Sequence, residues 1–416
     1  EISCSLVGSE MCIRDSSTTI PIKRKGFRMK EKLLSLTHSG ETPEKYFHAV
    51  TPPVFLTSLH IYDRFEDYAD ADILKEDEYI YGRDANPTVS ILERKIAELE
   101  HGSKALAFSS GMAACTAAIM ETCRAGSHII CMKDVYQPVT HFLNCFCVPK
   151  LNMTVTYVSG NDLDEVEDAM KQKADLMILE SPATFVFRVV DLEQIAKLAH
   201  RYEVKTYIDN TCMTPLFQNP LDYGIDIVMH TMSKYIGGHS DIIGGVLVSR
   251  DQELMDRIQT QMREWYGGIL GPMEGWLAIR GLRTLYARMM QHQDTALKVA
   301  EFLEKNEKVD QVYYTGLESH PQRDIILKQQ KGHTSLMSLI LDATVEQSIK
   351  FLDDLKLFGK GCSWGGFESL ALMPLYKATE EELTQRETKR QLIRLYCGLE
   401  GADNLIEDLE VALKKL

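Results

Sequence analysis

The amino-acid sequence predicts an α/β protein, with a large domain built on a mostly parallel sheet and a smaller C-terminal α+β domain. Three observations carry this expectation. Short apolar runs alternate with helix-like stretches through the middle of the chain, as in a sheet covered on both faces. A shorter set of strand and helix patterns follows residue 290. The chain also has 416 residues, more than one ordinary core accommodates.

Taken in order, the first residues stand apart. EISCSLVGSEMCIRDSS has neither the apolar core nor the basic start of a secretory signal, and it is similar to translated adapter sequence. Residues 1–28 are therefore expected to be a non-native or disordered leader, with Met29 as the start. Residues 29–89 carry Pro52-Pro53 and many aromatics without a clear period, and read as an N-terminal arm. The large domain is expected over 90–290. There KALAFSS (104–110) reads as a buried strand and GMAACTAAIMETC as the helix behind it. SHIICMK, NMTVTYVS, ADLMILESP, VKTYIDN, DIVMHTMSK and GGVLVS continue the strand series, with LDEVEDAMKQK and LEQIAKLAHRYE as amphipathic helices between them. Helical ARMMQHQDTALKVAEFLEK leads into the last domain, 291–416. In it VDQVYYTG, SLMSLILD and LIRLYCGLE read as strands, and VEQSIKFLDDL and NLIEDLEVALKKL as helices.

Composition excludes some functions. A net charge of −14 lacks the basic field that draws nucleic acid or an anionic membrane. No stretch approaches the roughly 20 apolar residues of a membrane span. Neither partner is expected, and the cytoplasm is the expected location. The ten cysteines form no C-x-x-C pair and are sparse for a disulfide scaffold, so buried thiols and no metal site are expected. Cys145-Phe146-Cys147 is expected to place both thiols on one face of a strand.

Ligands of open parallel sheets bind beyond the carboxyl ends of the strands, and several such ends carry polar groups here. SSGMAA (109–114) puts Gly111 and Met112 at a helix N-terminus, where free amides and the helix dipole suit a phosphate. On its own this pattern is more often a simple cap. Asp209 ends the apolar run of YIDN, where a carboxylate is costly without a partner. In HTMSKYIGGHSDIIGG (230–245), Thr231 and Ser233 flank Met232, and Lys234 follows. In extended geometry two residues spaced by two point the same way, so two hydroxyls are expected to meet one phosphate. A phosphate seat, an amine for an aldehyde and a carboxylate for a pyridinium nitrogen together specify pyridoxal 5'-phosphate (PLP), with Lys234 as its Schiff-base lysine.

The chain resembles the Cys/Met-metabolism family of PLP enzymes, which includes cystathionine lyases and synthases, methionine γ-lyase and O-acetylhomoserine sulfhydrylases. The likeness runs from about residue 47 to the C-terminus. It rests on YIYGRDANPTVSILERKIAELE, AFSSGMAA, YIDNTCMTP, HTMSKYIGGHSD, GLRTLYARM, SWGGFESL and LIRLYCGLE, in that order. The resemblance implies a type I PLP-transferase fold and a homo-oligomer, an active dimer usually paired into a tetramer. It implies that Lys234 bonds the cofactor, that Asp209 meets the ring nitrogen and that Tyr136 stacks on the ring and moves protons. Gly111, Met112, Thr231 and Ser233 match phosphate-binding positions, and Tyr81 and Arg83 match a pair that reaches the neighbouring subunit's phosphate. Arg394 matches the arginine that grips the substrate carboxylate, and Ser363 lies where the family contacts substrate and lysine. His230 and His239 match no catalytic role and read as structural.

The departures are informative. Tyr136 is followed by Gln137-Pro138-Val139-Thr140 where Tyr-Gly-Gly-Thr is common. ESPATFVF lacks the family's asparagine near the ring oxygen, and ALMPLYKATEEE replaces a His-Pro-Ala segment. With Trp364 in SWGG, these features look most like bacterial cystathionine β-lyases. The expected activity is β-elimination of cystathionine or a related thioether. γ-Elimination or γ-replacement is the alternative within the family, and an inactive relative with a structural role is the alternative outside it.

Overall fold

The computed structural model describes residues 29–416, so the expected leader, with Cys4 and Cys12, lies outside the described residues. Seven apolar runs became strands: β1 Lys104–Phe108, β2 His128–Met132, β3 Thr154–Val158, β4 Leu176–Glu180, β5 Lys205–Asp209, β6 Ile227–Thr231 and β7 Gly245–Ser249. They form one sheet in the order β1-β7-β6-β5-β4-β2-β3. Strands β2 to β6 pair in parallel, and β7 lies antiparallel between β6 and β1. All the strands except β7 therefore point the same way, and their carboxyl ends share one edge. Most residues of β2, β4, β6 and β7 are buried, which explains runs rich in Val, Ile, Leu and Met without alternation.

The second sheet contains β8 Val309–Tyr313, β9 Leu336–Leu341, β10 Leu370–Leu372 and β11 Ile393–Tyr396, in the antiparallel order β10-β11-β9-β8. A single helix, Pro272–Glu304, crosses the expected boundary at residue 290. Its buried residues up to Met289 join the core of the large sheet, and those from Ala296 onward join the second core. At Gly281 the helix touches the carbonyls of Ile236 and Gly237, with no room for a Cβ. One end of the helix is thus fastened to the loop that carries Lys234.

Some elements differ from the sequence expectation. Strand β10, only Leu-Ala-Leu, is too short to announce itself by period, and the helix Glu380–Gln385 is both short and polar. The arm contains the helix Met29–His38, which buries Lys32, Ser35 and Leu36. Cys145-Phe146-Cys147 is not a strand: Leu143–Cys147 is a π-helical turn continuing the helix that starts at Gln137. Alternating apolar residues fit that winding as well as they fit a strand. Cys145 is exposed and Cys147 buried, so the two thiols do not share a face. Among the described residues, no three His, Cys, Asp or Glu side chains are grouped to hold a metal, and no helix is long and apolar enough to cross a membrane.

Candidate active site

The carboxyl ends of β1 and β6 meet at the start of β7. Phe108 and Thr231 are both register partners of Gly245. Beyond Phe108 the chain turns through Ser109-Ser110 into the helix Gly111–Thr122, where the Ser110 hydroxyl accepts the Ala113 N–H at 3.0 Å. The amides of Gly111 and Met112 lie in the first turn and have no carbonyl four residues back within the helix. A Cβ at Gly111 would lie 2.0 Å from the Thr231 hydroxyl oxygen. A side chain at Gly245 would strike the Ser110 carbonyl oxygen at 2.3 Å. Both glycines are needed for the helix start to close on Thr231.

Thr231 is the last strand residue, and the chain then turns rather than staying extended. The Gly237 N–H reaches Met232 O at 2.9 Å, and the Gly238 N–H reaches Lys234 O at 2.8 Å. The extended geometry expected across Thr231–Ser233 is therefore not what the chain adopts, and strand alternation does not relate the two hydroxyls. Ser233 accepts the Gly244 N–H at 3.2 Å, which clips the two sides of the loop together. The tight turn throws Lys234 back over the sheet edge.

Lys234 Nζ donates to Ser363 Oγ at 2.8 Å and lies 5.3 Å from the centre of the Trp364 ring. The SWGG loop can sit this close because Gly365 adopts a φ of +91° directly against the Lys234 backbone, 2.7 Å from where its Cβ would be. Burial, then the neighbouring Arg394 guanidinium, hold the Lys234 amine below its ordinary pKa. No carboxylate pairs with it among the described residues. Such an amine is available as a nucleophile and a base.

Asp209 ends β5 beside these groups. Its Oδ1 accepts the Thr211 N–H at 2.9 Å. Desolvation raises its pKa, opposed by the Thr211 hydrogen bonds and by the nearby His230 and Lys234. On the opposite face of the sheet runs a buried polar chain that the sequence did not reveal. His230 Nε2 lies 2.5 Å from Glu100 Oε1, which also accepts Asn210 Nδ2 at 2.8 Å. Glu100 Oε2 takes Asn219 Nδ2, and Asn219 Oδ1 takes Lys32 from the arm. The chain thus ties together the residues next to Asp209 and Thr231. His230 ties Glu100 to the strand end here, and His239 Nδ1 donates to Gly237 O, 2.7 Å away.

Tyr136 precedes the helix Gln137–Phe142, and Pro138 is tolerated because it falls in that helix's first turn. The Tyr136 ring is half-exposed. Burial first, then the neighbouring Cys362, Asp209 and Glu180, raise its phenol pKa, while Arg394 lowers it. The Tyr136 N–H donates to Glu180 Oε2 at 2.7 Å. Arg394, in β11, donates from Nη2 to the carbonyls of Cys362 at 2.9 Å and Ser363 at 3.2 Å. It has no carboxylate partner among the described residues, and burial lowers its pKa to about 10. A guanidinium oriented by carbonyls but lacking a counter-charge suits an incoming carboxylate.

Tyr81 and Arg83 are the exceptions. They are exposed on the arm, where Arg83 lies over the Tyr81 ring at 5.4 Å and forms loose ion pairs with Asp84 and Glu264. No hydrogen bond or ring contact joins them to Lys234, Asp209 or Thr231 of the same chain. Sequence reasoning also passed over Glu180, Thr184 and Cys362. Glu180 carried the same signal as Asp209, an acid closing a buried apolar run, and was legible by that rule.

The residues fit PLP. The glycine-lined cradle beside Thr231 could take a phosphate, the depressed amine of Lys234 an aldehyde, and Asp209 a protonated ring nitrogen. The family described as Cys/Met metabolism PLP-dependent enzyme matches residues 35–414. The chain belongs to this family. Its relatives in the Cys/Met-metabolism family include an L-methionine γ-lyase of Fusobacterium nucleatum subsp. polymorphum, 38% identical over 385 residues, spanning 91% of this chain and 97% of that one. A cystathionine β-lyase of Coxiella burnetii is 35% identical over 90% of this chain and 96% of its own. A crystal structure of cystathionine γ-synthase from Xanthomonas oryzae pv. oryzae superposes with a TM-score of 0.87 at 32% identity, covering 92% of this chain and 98% of that one. The protein is accordingly a PLP-dependent enzyme of sulfur amino-acid metabolism, of a carbon–sulfur lyase family, with an amino-acid substrate.

Proposed function

We propose that this enzyme carries out β-elimination on cystathionine or a related thioether, giving pyruvate, ammonia and a free thiol. The observation that carries the reading is the seat of Lys234. Its amine is held between Ser363 Oγ and the Trp364 indole, with no carboxylate partner among the described residues, and so is placed to move a proton. When bound, PLP supplies an aldehyde for the lysine amine and a ring that withdraws electron density from the substrate's α-carbon. The chain does the rest. Gly111, Met112, Thr231 and Ser233 would hold the phosphate, and Asp209 would keep a proton on the ring nitrogen. Arg394 takes the substrate carboxylate at two points, aimed by the carbonyls of Cys362 and Ser363. The Lys234 amine would remove the proton from the α-carbon. Tyr136, neutral because its pKa is raised, covers the ring and gives a proton to the departing sulfur. Trp364 shields the amine from water.

A second reading, γ-elimination, is favoured by the 38% identity to an L-methionine γ-lyase. It requires Lys234 to move on to a second proton at the β-carbon. The keto acid released from cystathionine separates the two, since pyruvate supports the β reading and 2-oxobutyrate overturns it. Lys234→Ala is expected to lose both turnover and the visible absorbance of lysine-bound cofactor, and a variant that keeps both refutes the assignment.

The reading includes a homo-oligomer. Phe47, Val50, Leu56, Ile61 and Phe65 of the arm are exposed, at 99% and 89% for Phe47 and Ile61. A second copy covers this surface in our reading, and Tyr81 and Arg83 then serve that copy's phosphate.

A further inference from the structure

Glu180 is the last residue of β4, buried at 8% exposure, and its register partner across the parallel pair is Asp209. Strands of one sheet lie about 4.8 Å apart, so the two carboxyl groups leave adjacent strand ends side by side. Oε2 of Glu180 accepts the Tyr136 N–H at 2.7 Å, and Oε1 accepts the Thr184 hydroxyl hydrogen. No lysine, arginine or histidine forms an ion pair with Glu180 among the described residues. One carboxyl group thus connects three pieces of the site: the turn that presents Tyr136, the loop at Thr184, and the strand end beside Asp209.

We propose that Glu180 is a positioning residue for the reaction, a neutral acid that fixes Tyr136 and leaves Asp209 the single negative charge beneath the cofactor. This rests on the reading of Tyr136 and Asp209 given above. Two adjacent buried carboxylates cannot both ionise cheaply, and in this reading only Asp209 meets a cation, the protonated ring nitrogen, so the other keeps a proton. Asp209 accepts the Thr211 N–H and lies near His230 and Lys234, which favour its charged form. The proton therefore resides on Glu180. Hydrogen bonds from Thr184 and Tyr136 favour ionised Glu180, but burial and the Asp209 charge outweigh them. Tyr207 of β5, Cys131 of β2 and Cys212 after β5 all have raised pKa values and stay neutral, and Arg386 is only a weak opposing charge. Burial, then the Asp209 charge, push the Glu180 carboxyl up to about 8. As the acid, Glu180 still accepts the Tyr136 N–H at Oε2 and donates its own proton from Oε1 to Thr184 Oγ1. As pH rises through 8 that proton is lost, and a second negative charge appears beside Asp209.

Glutamine reproduces the neutral acid, with an acceptor for Tyr136 and a donor for Thr184. The test uses the PLP-loaded enzyme, followed by the visible circular dichroism of the bound cofactor and by steady-state kinetics on either side of pH 8, together with the dissociation constant of PLP from the apoenzyme. The wild type is expected to show a spectral and kinetic transition near pH 8. Glu180→Gln is expected to keep PLP affinity and kcat within about threefold below that pH and to lose the transition. Glu180→Ala is expected to lower kcat roughly ten- to hundredfold through misplacement of Tyr136 and to alter the cofactor signal at every pH. A transition that survives in Glu180→Gln, or a Glu180→Gln as impaired as Glu180→Ala, overturns the proposal. So does a Glu180→Ala that folds and matches the wild type. Tyr136→Phe and Tyr136→Ala serve as reference. If neither changes the cofactor signal, the assignment of Tyr136 fails first, whereas 2-oxobutyrate as product removes only the β-elimination reading and leaves the positioning role intact.

Discussion

Two alanine substitutions a few ångströms apart should fail in different ways. At Gly111 an added Cβ meets Thr231 Oγ1 at 2.0 Å, with Thr231 Cβ at 3.1 Å. The obstacle is the tip of a side chain, so the threonine rotates, while the Thr231 N–H stays fixed to Thr211 Oγ1 at 2.8 Å. An off-rotamer side chain costs about 0.5–1.5 kcal/mol, so Gly111→Ala should fold with little loss of stability. The rotated hydroxyl no longer meets the phosphate. A hydrogen bond to a charged group contributes about 1.5–3 kcal/mol, or roughly a 10- to 150-fold rise in the PLP dissociation constant. At Gly245 the Cβ meets the Ser110 carbonyl oxygen at 2.3 Å and Gly111 Cα at 2.8 Å, which are backbone atoms of the adjoining turn. Relief requires strand movement, so Gly245→Ala should cost about 1–3 kcal/mol of folding stability or more. Titration of the apoenzyme with PLP measures the first effect, and thermal unfolding of the apoenzyme measures the second. Thr231→Ala added to Gly111→Ala should weaken binding little further, since the hydroxyl is already displaced. Unchanged affinity in Gly111→Ala, or full additivity in the double variant, refutes the reasoning.

Arg394→Lys keeps the charge but loses the two-point grip set by the carbonyls of Cys362 and Ser363. KM should rise roughly 10- to 100-fold with kcat changed much less, and the opposite split would place Arg394 outside substrate binding. The apolar arm predicts that sedimentation finds a dimer or larger species at micromolar concentration. A stable monomer with full activity would remove Tyr81 and Arg83 from any shared site.

Much of the site was legible because strand ends announce themselves. A polar residue closing a buried apolar run has to satisfy its polarity at the sheet edge, and that singled out Asp209 and the Thr231–Lys234 segment. Glycines beside that edge were equally visible, and the structure gives Gly111 and Gly245 a concrete reason in the approach of the Ser110 turn to Thr231. Where the reading relied on local period it failed: Leu143–Cys147 winds as a π-turn, and the chain beyond Thr231 turns instead of alternating.

By itself, then, the sequence determined the strand-and-helix alternation, the acid and amine at the strand ends and, through its ordered motifs, the cofactor. Only the tertiary structure decided which ends are neighbours. It set Glu180 against Asp209, brought Gly365 onto the Lys234 backbone from 131 residues away, and drew Glu100 beneath His230. Periodicity reports which face of an element is buried, because burial follows from side-chain direction along a single strand or helix. Contacts between distant segments follow from strand order and packing of the whole core, and no local pattern contains them.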